Sequence, residues 1–174
     1  MTVYEPAEDS FLLKNYVSEL DLEGKKTLDI GTGSGIIALE MAESGARVTA
    51  VDINPAAVEE TRRRADEEGF EIDVIESGLF ENVEESFDLI TFNPPYLPGE
   101  EGAGDEEIWR GGETGIELTE KFLDQVDDYL EEEGFALVIV SDRADHERLI
   151  DRYGLEVVER RSLWFETLLL ARYE

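Results

Sequence analysis

The chain contains no cysteine. Disulfides, thiolate nucleophiles and cysteine zinc sites are excluded together. Histidine is reduced to His146, and nothing places a nucleophile elbow near it, so a Ser–His triad finds no support. Lysine is scarce, with only Lys14, Lys25, Lys26 and Lys121. No run of about 18 apolar residues occurs, so no membrane-spanning helix is expected. The opening Met1-Thr2-Val3-Tyr4-Glu5-Pro6 has neither a basic region nor an apolar stretch, so secretion is not signalled and a cytoplasmic location is expected. No metal site is expected.

Acid is what the sequence has in excess. Asp and Glu number 44 against 15 Lys and Arg, a net charge of −29. Such self-repulsion opposes a compact state in dilute buffer. It is tolerable where the Debye length shrinks to about 3 Å near 1 M salt. The acids are interleaved with ordinary core patterning, whereas a disordered acidic tail is blocky and poor in aromatics. The composition therefore points to the cytosol of a halophilic archaeon. It also disfavours nonspecific duplex DNA binding, which relies on Lys and Arg at the phosphates.

The 174 residues suit one domain spanning 1–174. Phe11, Leu12, Val17 and Leu20 share a helical spacing after Pro6 and the Glu8-Asp9-Ser10 start. Strands are expected at 27–30, 47–52, 72–76, 87–92 and 135–140. Helices are expected at 36–44, 56–68 with Pro55 at the first position, 116–130 and 144–153. An antiparallel pair, 155–161 and 163–172, closes the chain, with Trp164, Phe165 and Leu168 read as core or edge-strand packing. Strands alternating with helices imply a mixed, seven-stranded doubly wound α/β sheet. Residues 97–115 are acidic, glycine-rich and too long for an ordinary connection, which suggests a lid, a binding loop or a disordered segment, with Trp109-Arg110 read as part of a lid.

Two stretches carry chemistry. The first is Asp29-x-Gly31-x-Gly33-x-Gly35, between the first strand and its helix. A dinucleotide fingerprint needs a third glycine where Ile36 stands. An acid just before the glycines repels a pyrophosphate and suits a cation, as in S-adenosylmethionine, with its ammonium and sulfonium and no phosphate. Asp52 ends the second strand about 20 residues beyond the turn, where a carboxylate receives a ribose diol. Ser77-Gly78-Leu79 ends the third strand and faces the same way. The second stretch is Asn93-Pro94-Pro95-Tyr96. Proline cannot continue a ladder, so this corner stops the fourth strand at its carboxyl end, where open α/β sheets bind ligands. A planar nitrogen substrate fits it.

Together these residues resemble the class I S-adenosylmethionine-dependent methyltransferases, with a Rossmann-like, seven-stranded, mostly parallel sheet, helices on both faces and an antiparallel last strand. Tyr4-Glu5-Pro6-Ala7-Glu8-Asp9-Ser10 combined with Asn93-Pro94-Pro95-Tyr96 narrows the resemblance to the HemK-type protein glutamine methyltransferases. Within them it is similar to the short archaeal and eukaryotic branch acting on class I release factors. The longer bacterial relatives carry an extra N-terminal helical domain for which this chain has no room.

The resemblance implies that Ser10 contacts the cofactor near its carboxylate end and that Asp29 and Gly31 line the methionine portion, with Gly33 and Gly35 completing the turn. Asp52 with Ile53 takes the ribose, and Ser77, Gly78 and Leu79 border the adenine. Gly78 departs from the family's usual aspartate. Asn93 joins methionine and substrate, with Pro94, Pro95 and Tyr96 on the substrate side. The implied reaction is N5-methylation of the glutamine of a Gly-Gly-Gln motif. The implied partners are the release factor and a small zinc-binding Trm-family activator, as a heterodimer, with Ile72, Val74 and Ile75 as candidate contacts. Asn93-Pro94-Pro95-Tyr96 alone is shared with nucleic-acid N-methyltransferases (adenine N6 or guanine N2), which stand as the alternative beside protein lysine methylation.

Overall fold

The computed structural model describes residues 3–96 and 115–174. Seven strands form one sheet in the order β3-β2-β1-β4-β5-β7-β6. They are β1 (Lys26–Ile30), β2 (Arg47–Asp52), β3 (Ile72–Glu76), β4 (Phe87–Phe92), β5 (Leu130–Ser141), β6 (Glu156–Ser162) and β7 (Thr167–Tyr173). The pairings from β3 through β5 are parallel. β7 runs antiparallel to both β5 and β6. β1 is flanked by β2 on one side and β4 on the other, so the chain reverses direction across the sheet at this point. The crevice beyond the carboxyl ends of β1 and β4 is where such a sheet binds ligands.

Strand alternation divides the core. Leu89, Leu137 and Ile139 point to one face, covered by α1 (Glu8–Ser18), α2 (Ile36–Glu43) and α3 (Pro55–Glu68) through Leu12, Leu13, Met41 and Val58. Ile90, Val138 and Val140 point to the other, covered by α4 (Glu117–Leu123) and α5 (His146–Tyr153) through Phe122 and Leu149. Asn54 caps α3 by accepting from the Ala56 N–H at 3.0 Å, with Pro55 at the first position.

Four expectations need correction. The helix expected over 116–130 ends at Leu123; a 3₁₀ turn, Val126–Tyr129, follows, and β5 begins at Leu130 rather than Phe135. Leu118, Phe122 and Val126 are buried all the same, because the turn keeps those side chains on the core. Glu131 to Gly134 bulge out of β5, since Phe87 pairs with Leu130 while Leu89 pairs with Phe135. Phe11 is 42% exposed, and Leu13 takes its place on the buried face of α1. Trp164 and Phe165 occupy the β6–β7 turn, 99% and 62% exposed, and only Leu168 of that trio joins the core. The turn closes by the Leu163 N–H donating to the Glu166 carbonyl at 2.7 Å, which leaves the two intervening aromatics outside the ladder. The segment with Trp109-Arg110 lies outside the described residues, except for Gly115.

Candidate active site

Asp29 sits one residue before the end of β1, in register with Thr91 of β4. Both project to the α1–α3 face, and the Thr91 hydroxyl donates to Asp29 Oδ1 at 2.8 Å. Asp29 Oδ2 is buried with no donor among the described residues. Burial, reinforced by the charge of Asp52, pushes this carboxyl up to about 7, against the opposing pull of the Thr32 and Thr91 hydroxyls. A buried carboxylate oxygen without a donor is costly unless a ligand supplies one, and a cationic ammonium would do so.

The glycine turn follows. Gly31, Gly33 and Gly35 have φ of 66°, 54° and 78°, a region that L side chains avoid. At Gly35 a Cβ would also lie 3.0 Å from Thr61 Cγ2 and Oγ1, so this glycine lets α2 and α3 pack together as well as turning the chain. Asp52 is buried at the end of β2. Its Oδ2 accepts from the Gly33 N–H at 2.9 Å and its Oδ1 from the Asn54 N–H at 2.8 Å. The carboxylate thus anchors the glycine turn to β2, and each oxygen keeps acceptor capacity for a diol. Burial raises its pKa against those backbone hydrogen bonds. Ile53 follows it, half-buried.

Beyond β3, the Ser77 N–H donates to the Asp52 carbonyl at 2.9 Å, which brings the third turn beside the second. Ser77 Oγ is occupied locally, donating to the Leu79 carbonyl at 3.2 Å and accepting from Asn82 N–H at 3.0 Å. The left-handed backbone here belongs to Leu79 (φ 49°), not to Gly78. A bulky residue held there marks a strained, over-determined position. Gly78 is buried and adds no carboxylate.

Asn93 leaves β4 directly after Phe92, whose partner across the ladder, Ile30, precedes Gly31. A Cβ on Gly31 would meet Phe92 Cε2 at 3.6 Å. The turn expected to hold the cofactor and the corner expected to hold the substrate therefore adjoin. Among the described residues Asn93 Oδ1 is buried without a donor, like Asp29 Oδ2. Pro94 is buried, while Pro95 and Tyr96 are half-buried. The Tyr96 hydroxyl donates to Asp9 Oδ2 at 3.2 Å. Burial, then the charges of Asp9 and Glu166, hold this phenol well above its usual range, so it stays a neutral donor. Ser10 is buried at the start of α1 with its hydroxyl turned to Asp9 at 3.2 Å.

Sequence reasoning missed three members of this neighbourhood. Thr91 was legible only as a polar residue inside an apolar run. Asp9 reads as a helix-start acid, and nothing local shows that Tyr96, 87 residues away, would reach it. Glu166 lies buried at the end of the β6–β7 turn, accepting from the Ser141 hydroxyl at 2.8 Å; a lone acid in a turn ordinarily reads as solvated.

A doubly wound sheet, a glycine turn between two buried carboxylates and an adjoining Asn-Pro-Pro corner define a class: the S-adenosylmethionine-dependent methyltransferases of Rossmann-like fold. Residues 9–159 match the methyltransferase small domain family, and the chain belongs to it. It is 38% identical to a Methanocaldococcus jannaschii protein provisionally named a protein N5-glutamine methyltransferase, across 97% of this chain and 89% of that one. It is 35% identical to the human methyltransferase HEMK2, across 84% of this chain and 76% of the human one. The structure resembles the Encephalitozoon cuniculi Mtq2–Trm112 complex, described as responsible for methylating the eRF1 translation termination factor. That match has a TM-score of 0.79 and 27% identity, and covers 100% of this chain and 99% of the other.

Proposed function

We infer that this chain methylates the side-chain amide nitrogen (N5) of the glutamine in the Gly-Gly-Gln motif of the archaeal peptide chain release factor. The observation that carries the reading is Asn93 Oδ1, buried beside the glycine turn with no donor among the described residues. A primary amide offers two N–H donors from one planar nitrogen. Asn93 Oδ1 and the Pro94 carbonyl supply two acceptors for them, and the Tyr96 ring packs on the amide plane. Accepting both hydrogens orients the nitrogen and loosens its conjugation with the carbonyl. The names of the relatives support the same substrate class.

When bound, the cofactor supplies a methyl group activated by a sulfonium. Asp29 would hold its ammonium, Ser10 its carboxylate end and Gly31, Gly33 and Gly35 its backbone-facing side. Asp52 and Ile53 would hold the ribose, and Ser77, Gly78 and Leu79 would border the adenine. The residues fit, because an ammonium is the donor that Asp29 Oδ2 lacks. Rate then comes from alignment and from fixed dipoles around the reacting nitrogen. No strong base is required, since that nitrogen becomes acidic as it is alkylated.

The working form we propose is one domain over 1–174, heterodimeric with a small zinc-binding Trm-family protein, in the cytoplasm of a halophilic archaeon. The Encephalitozoon relative was solved as a complex with Trm112. β3 is one of the two edge strands of the sheet, with Ile72 and Ile75 half-buried. Val74 is buried and its carbonyl accepts from Arg62, which leaves Ile72 and Ile75 the more available of the three candidates. Among the described residues no helix is long and apolar enough to cross a membrane.

The test is incubation at molar salt of the enzyme, with its partner, with cofactor and either release factor or nucleic acid. Mass spectrometry should find one methyl group on the Gly-Gly-Gln glutamine. Asn93→Ala should keep cofactor binding and lose more than about 10²-fold in rate, as expected for one preorganised hydrogen-bonding group. Methyl transfer to nucleic acid with no protein labelling overturns the reading.

A further inference from the structure

Asp9 is the first-turn acid of a well-packed helix. Leu12, Leu13 and Val17 bury α1 completely on its inner side, and Arg161 Nη1 pins its start through Glu8 at 3.1 Å. The Asp9 side chain is 3% exposed. Its Oδ1 accepts from the Ser10 N–H at 2.6 Å and the Ser10 hydroxyl at 3.2 Å. Its Oδ2 accepts from two phenols, Tyr4 at 3.0 Å and Tyr96 at 3.2 Å. Tyr4 also reaches Oδ1 at 3.2 Å.

The two phenols come from different segments that meet at Asp9. A Cβ on Gly33 would lie 3.8 Å from Tyr4 Cβ and 3.9 Å from the Tyr4 carbonyl oxygen. Tyr4 therefore lies against the glycine turn, on the cofactor side. Tyr96 ends the Asn-Pro-Pro-Tyr corner, on the substrate side. Neither tyrosine belongs to a helix or strand, so neither has a regular ladder to hold its backbone. Asp9, on a helix, gives both phenols a shared anchor.

We propose that Asp9 is a positioning residue that ties the two segments together, holding Tyr4 over the glycine turn and Tyr96 against the glutamine amide through one shared carboxylate oxygen. The proposal rests on the glutamine reading for Tyr96 and is independent of it for Tyr4. Loss of the carboxylate loosens cofactor and substrate together. Loss of one phenol loosens only its own segment. Supporting residues of this kind decide whether a site is tight enough to work.

The experiment compares Asp9→Asn, Tyr4→Phe, Tyr96→Phe and Asp9→Asn/Tyr96→Phe in the full chain at molar salt. Calorimetry gives the cofactor Kd, and methyl transfer to release factor gives kcat and KM. Tyr96→Phe should lower kcat by roughly tenfold, the usual scale for one hydrogen bond to a charged group, with the cofactor Kd little changed. Tyr4→Phe should raise the cofactor Kd several-fold with a smaller effect on kcat. Asp9→Asn should do both, and adding Tyr96→Phe to it should cost nothing further in kcat, because contacts in one network are non-additive.

An undiminished Tyr96→Phe effect in the Asp9→Asn background overturns the proposal. So does an Asp9→Asn protein that melts earlier yet keeps wild-type kcat and Kd. Should Asp9→Asn not fold, wild-type constants in both phenylalanine variants overturn it alone. A wild-type enzyme that leaves release factor unmethylated sinks the glutamine reading instead, while the Kd comparison of Tyr4→Phe and Asp9→Asn still judges Asp9.

Discussion

Asp29 binds its proton far more tightly in the fold than in the unfolded chain. Its folded pKa is about 7, against roughly 3.9 for a free aspartate. By linkage, this group's contribution to stability is fully present below about pH 4 and is lost as pH rises through 7. Cofactor binding has the opposite sense, because a cationic ammonium needs the ionised carboxylate. Affinity should therefore rise from pH 6 to just above 7, then fall once the cofactor's own amino group deprotonates near about 8. Asp29→Asn should flatten the rising limb. Calorimetric titrations across that range decide it, and an equal slope in both proteins would reject the assignment. Asp29 was legible as a candidate because an acid before glycines is unusual chemistry. Its orphaned oxygen and its bond to Thr91 were not, since both depend on the register between β1 and β4.

Among the elements, β5 shows best where local pattern stops being informative. Periodicity over 116–130 favours one helix, and Glu131 to Glu133 read as a solvated face. The chain instead turns at Val126–Tyr129 and bulges through the glutamates into β5. Gly134 makes this passage possible. A Cβ there would lie 2.7 Å from the Phe87 carbonyl oxygen and 3.0 Å from that of Glu131. Both are backbone atoms, so they can yield only by shifting the strands. Gly134→Ala should therefore destabilise the β4–β5 pairing by roughly 1–3 kcal/mol, the usual cost of overpacking. A lower denaturation midpoint at constant salt is the expected result, and an unchanged midpoint would show that the bulge absorbs the methyl. Elements bounded by their own chemistry were readable in advance. α3 has Asn54, Pro55 and Gly69 at its ends, and these work locally.

For the whole molecule, charge is the governing quantity. Basic residues are drawn into local pairs, as where Arg63 meets Glu60 and Glu67, each at 2.7 Å. Fifteen cations cannot neutralise 44 acids, so the remaining repulsion must be screened. Raising salt from 0.1 to 1 M shortens the Debye length from about 10 Å to about 3 Å. The thermal midpoint should climb steeply over that interval. A flat or falling midpoint would remove charge as the reason for the composition.

The sequence by itself determined the class of sheet, the glycine turn, the acids at the ends of β1 and β2, and the Asn-Pro-Pro-Tyr corner. Each rests on short-range rules: alternation, helix caps, and prolines that cannot continue a strand. Only the tertiary structure decided that Thr91 meets Asp29, that Trp164 and Phe165 stand outside the core, and that Asp9 receives Tyr96. Those outcomes depend on strand register and on how α1 seats across the sheet, which are set by the packing of the whole core and leave no mark in any single stretch of chain.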